Sequence, residues 1–287
     1  MERGGTVTDR AQRPGNTAPD ARIDARDHAI ALECDGLGFG YDDNRWIFRD
    51  LSLSIATGRA LAVLGPNGHG KTTFLKVLLG LLKPRAGIAR LAAPAAFVPQ
   101  LFDVSFPFKA LDMVLMGRAR NIGFFSQPNR HDESMARAAL DHVGLGMMAE
   151  TPFDQLSGGQ RQLVIFARAL ASEARMLILD EPTSSLDMRN QEIILGWIDR
   201  LTHDEGLTVV FTTHHPHHAL AVADDVLMLF GESDSVCGTV QDELTERNLE
   251  RLYGTRFVRL DFDDAGHGHR TVVPVYRFAR TTAESRG

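Results

Sequence analysis

The chain has 287 residues, 44% of them hydrophobic and 24% charged, with a formal net charge of -6. That is the balance of a soluble globular protein large enough for one sizeable α/β domain or two small ones, and it offers no basic surface for nucleic-acid phosphates. The two cysteines, Cys34 and Cys237, fall in no Cys-x-x-Cys pair or Cys/His spacing, so neither a disulfide framework nor a structural metal is expected, and a reducing compartment fits.

Residues 1–28 are rich in Gly, Pro, Asp and Arg and poor in large apolar side chains, which predicts a disordered extension. The start has no apolar core behind a basic segment, so no secretory signal is expected. Order is expected from Ala29. Ile30, Leu32, Leu37 and Phe39 alternate as edge strands do, and Leu51 to Ile55 repeats with period two, so an antiparallel β layer should open the fold. Arg59 to Leu64 reads as a short buried strand. It runs into a glycine-rich turn and a helix expected from Lys71 to Leu82, stopped before Pro84.

A further strand should end at Gln100. Between it and Leu156 only helical signals occur, at Lys109 to Gly117 and Asp132 to Val143, so residues 101–158 are expected to form a helical subdomain. Next come a helix at Gly159 to Ala171, a buried strand at Met176 to Asp180 and a helix at Gln191 to Leu201. Buried strands follow at Leu207 to Thr212 and Val226 to Phe230. An amphipathic helix is expected at Glu243 to Tyr253, and the tail, residues 261–287, holds a candidate strand at Thr271 to Phe278. Strands alternating with helices predict an α/β fold around a parallel sheet, with one domain over residues 29–260. No apolar run approaches the roughly 20 residues that span a bilayer.

The first chemical motif is Gly65-Pro66-Asn67-Gly68-His69-Gly70-Lys71-Thr72, followed by Thr73. It matches the phosphate-loop pattern and sits between a strand and a helix, where that pattern must sit. Backbone N–H groups of such a loop surround a phosphate, the lysine reaches the β- and γ-phosphates, and the Thr72 hydroxyl holds Mg2+. Met176-Leu177-Ile178-Leu179-Asp180-Glu181 is an apolar strand ending in two carboxylates. Asp180 is suited to Mg2+ and Glu181 to polarising an attacking water as general base. The third is Leu156-Ser157-Gly158-Gly159-Gln160 at the start of a predicted helix. Ser157 there is either a plain helix cap or a donor to a second anion site.

Taken in order, these motifs resemble the ATPases of the ABC family, and the third is that family's signature. The resemblance runs from about residue 30 to 255 and implies an ABC-type phosphate-loop ATPase fold: a mixed central sheet, an antiparallel layer and a helical subdomain. It implies ATP and Mg2+ as ligands. It also implies a head-to-tail pair with a second copy, in which Ser157, Gly158, Gly159 and Gln160 of one chain cap the ATP on the other. Tyr41 resembles the aromatic that stacks on adenine, or is an exposed turn tyrosine. Gln100 resembles the glutamine that touches Mg2+ and the attacking water, or is an ordinary strand-end glutamine. Asp187, in Ser184-Ser185-Leu186-Asp187, resembles a residue acting across the dimer interface, with a helix cap as its competing role. His214 resembles the histidine that bonds the γ-phosphate. Its neighbours His215, His217 and His218 suggest a metal cluster, but Pro216 breaks the spacing, and a solvated helix start is the reading preferred.

Several segments resemble the importer ATPases for iron-siderophore, haem and cobalamin, and the related molybdate or tungstate branch. These are Ser105-Phe106-Pro107-Phe108, Val114 to Arg118, Gln160 to Leu163, His218-Ala219-Leu220 and Leu252-Tyr253-Gly254. The resemblance implies peripheral attachment to the cytoplasmic face of the cell membrane through an integral membrane permease, with a periplasmic or extracellular substrate-binding protein beyond it. Residues 101–128 occupy the docking position, where Leu101, Phe102, Phe106, Phe108, Phe124 and Phe125 would form an apolar groove or pack locally. The rival reading is a soluble ABC ATPase. Lys71 and Ser157 lie too close in sequence for the long coiled coil of the DNA-repair relatives, and the chain carries one cassette where the translation relatives carry two.

Overall fold

A computed structural model describes residues 29–42, 45–100, 107–122, 126–184, 186–264 and 266–276. In chain order the first elements are β1 (Ile30–Phe39), β2 (Phe48–Ala56), β3 (Ala60–Leu64), α1 (Lys71–Leu78), β4 (Ala86–Leu91), β5 (Ala95–Val98), α2 (Ala110–Leu115), α3 (Arg130–His142) and α4 (Gly158–Ala171). They continue as β6 (Met176–Leu179), α5 (Met188–His203), β7 (Thr208–Thr213), α6 (Pro216–Val222), β8 (Asp225–Gly231) and β9 (Asp234–Thr239). The last are α7 (Val240–Glu243), α8 (Glu246–Tyr253), β10 (Phe257–Asp264) and β11 (His267–Pro274).

The central sheet has six strands in the order β5-β6-β7-β3-β8-β9, parallel except for the antiparallel edge strand β9. Period two divides its core. Ala60, Ala62 and Leu64 of β3 face the helices α2 to α6, whereas Leu61 and Val63 face α1 and the antiparallel layer β2-β1-β4. All five β3 residues are buried, as a strand covered on both faces must be. Because β3, β5, β6 and β7 run in parallel, the loops that leave their C-terminal ends gather at one edge of the sheet. That edge carries Gly65, Gln100, Asp180 and His214.

The α/β class and the antiparallel layer agree with the reading of the sequence, and several details differ. Helix α1 stops at Leu78 rather than Leu82, because Gly80 takes a left-handed φ of 70° and Leu81 N–H turns back to Lys76 O at 2.9 Å. The helix expected over Glu243 to Tyr253 is α8, which starts later, at Glu246, under a Thr245 cap, and a short unexpected helix, α7, capped by Thr239, precedes it. Strands β4, β9 and β10 were not expected, and β11 begins four residues before the anticipated Thr271. Cys34 and Cys237 are free thiols, and burial pushes them up to about 12 and about 11, well away from reactive thiolates. No helix among the described residues is long and apolar enough to cross a membrane. Of the six side chains expected to form the docking groove, only Phe108 lies among the described residues, and it packs on the main core.

Candidate functional site

The loop from Gly65 to Thr72 leaves β3 and turns into α1. Its turn needs glycine at Gly70, which has a φ of 91° and where a Cβ would stand 2.4 Å from Ile47 Cγ2. Lys71 opens α1 and folds back beneath the loop. Its ammonium donates to Gly65 O at 2.8 Å and to Pro66 O at 3.3 Å, and it pairs with Glu181 Oε1 at 3.1 Å. Together with Tyr41, Ile47, Asn67, Gly68, Gly70, Thr72, Thr73 and Gln100, these residues line a cleft of about 330 Å³.

The two acids at the end of β6 are held differently. Asp180 Oδ1 accepts from the Thr72 hydroxyl at 3.1 Å and from the Thr212 hydroxyl at 2.8 Å. Glu181 has a φ of 45°, in the left-handed region that costs a non-glycine residue about 1–3 kcal/mol. Four contacts hold it there: its N–H donates to Thr212 Oγ1 at 2.7 Å, Oε1 meets Lys71, Oε2 lies 3.1 Å from His214 Nδ1, and Gln100 Nε2 stands 3.4 Å from Oε2. Thr212 is thus a site residue that the sequence reading missed. Its one signal is a threonine pair closing an otherwise apolar strand.

Tyr41 is 65% exposed at the cleft mouth. Its hydroxyl meets Thr73 Oγ1 at 3.0 Å and its ring stands edge-on to Phe39. His69 does not face the cleft. Its Nδ1 lies 3.2 Å from Leu229 O, which ties the phosphate loop to β8.

The signature residues stand apart from this cleft. Ser157 caps α4: its hydroxyl accepts from Gln160 N–H at 3.3 Å and Gln160 Oε1 accepts from Ser157 N–H at 2.9 Å, a reciprocal capping box. Gly158 is exposed, and a Cβ on Gly159 would approach Asn190 Nδ2 to 2.9 Å, so glycine lets α4 lie against the start of α5. Asp187 caps α5 by accepting from Asn190 N–H at 2.8 Å. Both cap roles are therefore present, and both residues remain exposed.

The histidine run is not the solvated helix start that was expected. His218 is only 3% exposed, with Nδ1 at 3.2 Å from Thr183 Oγ1, and burial beside its neighbouring histidines pushes its pKa down to about 3. His215 is half-buried and held below its ordinary pKa by burial and by His214, while His217 is exposed. No group of three or more metal-ligating side chains converges among the described residues.

Residues 48–184 match the profile of the family described as ABC transporter. A molybdate import ATP-binding protein of Haemophilus influenzae, MolC, is 43% identical over 223 residues, 78% of this chain and 88% of the relative. The chain belongs to the ABC transporter family. It is an ATP-binding subunit with an ABC-type ATPase domain. A probable iron chelatin transport ATP-binding protein of Helicobacter pylori is 34% identical over 249 residues, 82% of this ABC subunit and 97% of the relative. Among solved structures, a chain of a metal-chelate type ABC transporter in an inward-facing conformation superposes with a TM-score of 0.83 at 40% identity. That match covers 87% of this subunit and 99% of the solved chain. A bacterial ABC transporter cassette solved as a dimer gives a TM-score of 0.65 at 25% identity, covering 73% of this subunit and 98% of that chain.

Proposed function

We propose that this subunit is the ATP-hydrolysing motor of an importer whose cargo is an oxyanion such as molybdate or a metal chelate. The observation that carries the catalytic part is the meeting of Lys71 and Glu181 in one cleft floored by a phosphate loop, with Asp180 bonded to Thr72 and His214 to Glu181 of its lining. Lys71 and the loop N–H groups bind the β- and γ-phosphates, and Tyr41 offers its exposed ring to adenine. Glu181 is the general base: His214 and Thr212 fix its position once Lys71 turns to the phosphates, and its Oε2 faces the side where Gln100 can orient a water. His214 bonds the γ-phosphate and holds Glu181. Thr72 Oγ1 and Asp180 Oδ1, 3.1 Å apart, are a hydroxyl and a carboxylate, the hard oxygen donors that suit Mg2+, with Gln100 beside them. When bound there, Mg2+ neutralises charge on the phosphates.

The subunit works as a pair. Ser157 and Asp187 are exposed caps at the starts of α4 and α5, which meet at Gly159 and Asn190, where a second copy can set them against its own nucleotide, and the likeness to a dimeric cassette supports this arrangement. The motor sits on the cytoplasmic side of the membrane against an integral permease, which a substrate-binding protein supplies. The names of the relatives support the cargo class. Co-purification with a multi-span permease, and ATP-driven uptake of labelled molybdate or ferric chelate into vesicles holding that complex, test the assignment. A chain that hydrolyses ATP and engages no membrane partner would instead be a soluble ATPase.

A further inference from the structure

At the opposite edge of the central sheet, a second cavity of about 500 Å³ is bounded by the N-terminal ends of β3 and β8, by α7 and by the hairpin of β10 and β11. β3 separates it from the phosphate loop by five residues, about 17 Å at about 3.3 Å per residue. Three arginines line it: Arg59 just before β3, Arg259 on β10 and Arg270 on β11. Alternation along the hairpin explains the last two. Phe257, Arg259 and Asp261 share one face with their cross-strand partners, among them Arg270 and Val272, and the buried Phe257 and Val272 mark that face as the inner one.

The three guanidinium groups differ in what they meet. Arg59 is paired with Asp225 through Nε at 2.6 Å and Nη2 at 2.8 Å, which leaves Nη1 for a further acceptor. Arg270 uses Nε on Asp261 at 2.8 Å and keeps both Nη groups. Arg259 has neither kind of partner: its Nε and Nη2 are cut off from water and have no acceptor among the described residues. Two buried donors without an acceptor are costly, and a guanidinium keeps its proton in proteins, so an anion that reached them would be stabilising; the Arg259 backbone N–H already donates to Glu246 Oε1 at 2.7 Å. Two carboxylates also line the cavity, Asp224, whose charge acts on Arg59, and Asp242, so three arginines stand against two acids. Asp224 accepts from Ala60 N–H at 2.8 Å and lies 3.4 Å from His203 Nε2, and Asp242 accepts from the Thr239 hydroxyl at 2.7 Å.

We infer that Arg59, Arg259 and Arg270 form a binding site for a small tetrahedral oxyanion, separate from the ATP cleft. Donors that approach from the entry to β3 and from the facing hairpin suit an anion with oxygens pointing in several directions, and planar guanidinium forks match such oxygens in pairs. The site does not depend on the transport assignment above.

The test is calorimetric titration of the full chain with inorganic phosphate and, separately, molybdate, with the ATP cleft filled by a non-hydrolysable ATP analogue and Mg2+ so that neither anion can enter the phosphate loop. Saturable binding of either anion at one site per chain is expected. Arg259→Leu should weaken it at least about tenfold with nucleotide affinity unchanged, and Arg259→Lys, which keeps the charge and loses the fork, should fall between. If Arg259→Leu does not fold, Arg270→Gln on the exposed hairpin serves in its place and should weaken binding at least about threefold. No saturable heat with either anion in the wild type overturns the site, and so does unchanged affinity in the variant that folds.

Discussion

The ammonium of Lys71 lies 3.1 Å from Glu181 Oε1, with the two residues 5% and 8% exposed. The other two donors of Lys71 are taken by Gly65 O and Pro66 O. A phosphate oxygen entering the loop must therefore displace one of three partners. Displacing Glu181 both frees a carboxylate and supplies Lys71 with a stronger anion. On the proposed mechanism, binding of nucleotide and release of Glu181 are then one event.

That competition has a measurable consequence. Glu181→Gln should tighten nucleotide binding about 3- to 10-fold, because the rival for Lys71 loses its charge. Lys71→Ala should weaken it by about a hundredfold or more. Fluorescent-nucleotide titration reads both, and equal affinities in wild type and Glu181→Gln would contradict the competition.

Thr212 holds the two acids in register. Thr212→Val keeps the shape of the side chain, removes the donor to Asp180 and leaves Glu181 N–H buried without an acceptor at a strained φ. Stability should fall by about 2 kcal/mol, about 4–8 °C in Tm, and kcat should fall with it. A variant with wild-type Tm and kcat would remove Thr212 from the site.

Ser157 has an observed capping role and a proposed one at the partner's nucleotide, which one substitution separates. Asp caps a helix as well as Ser does, so Ser157→Asp should leave Tm within about 1 °C, whereas a carboxylate aimed at the partner's γ-phosphate should cut ATPase activity at least about tenfold. Ser157→Ala should instead cost about 1 kcal/mol of stability. Full activity in Ser157→Asp would confine Ser157 to capping.

His218 makes stability depend on pH. Its pKa, about 3 when folded, lies below the ordinary value of 6.5, so below pH 6.5 the unfolded chain binds the extra proton and folding loses stability as pH falls. The loss should approach about 1.4 kcal/mol per pH unit between about pH 6 and pH 4. His218→Asn keeps a polar partner for Thr183 and should flatten that slope. Urea midpoints across the range measure it, and an unchanged slope in the variant would show that other groups govern acid stability.

What could be read in the sequence is what local spacing encodes. Gly65 to Thr72, Asp180-Glu181 and Ser157 to Gln160 are contiguous motifs, and apolar periodicity placed β3, β6 and β7 around them. Thr212 was invisible because its partners Asp180 and Glu181 are 32 and 31 residues away. The strands β4 and β9, with glycine and polar residues in Ala86 to Leu91 and Asp234 to Thr239, carry no clear alternation and owe their form to the strands they pair with. His218 looked solvated beside three other histidines, and the seating of α6 against β11, α5, β3 and β7 buries it.

The most direct test of the account is the steady-state ATPase rate of Glu181→Gln, measured with saturating ATP and Mg2+ in the assembled complex. A general base contributes about 10²- to 10⁴-fold, so kcat should fall by at least about a hundredfold while nucleotide stays bound. A kcat within about twofold of wild type would contradict the assignment of Glu181 as the base.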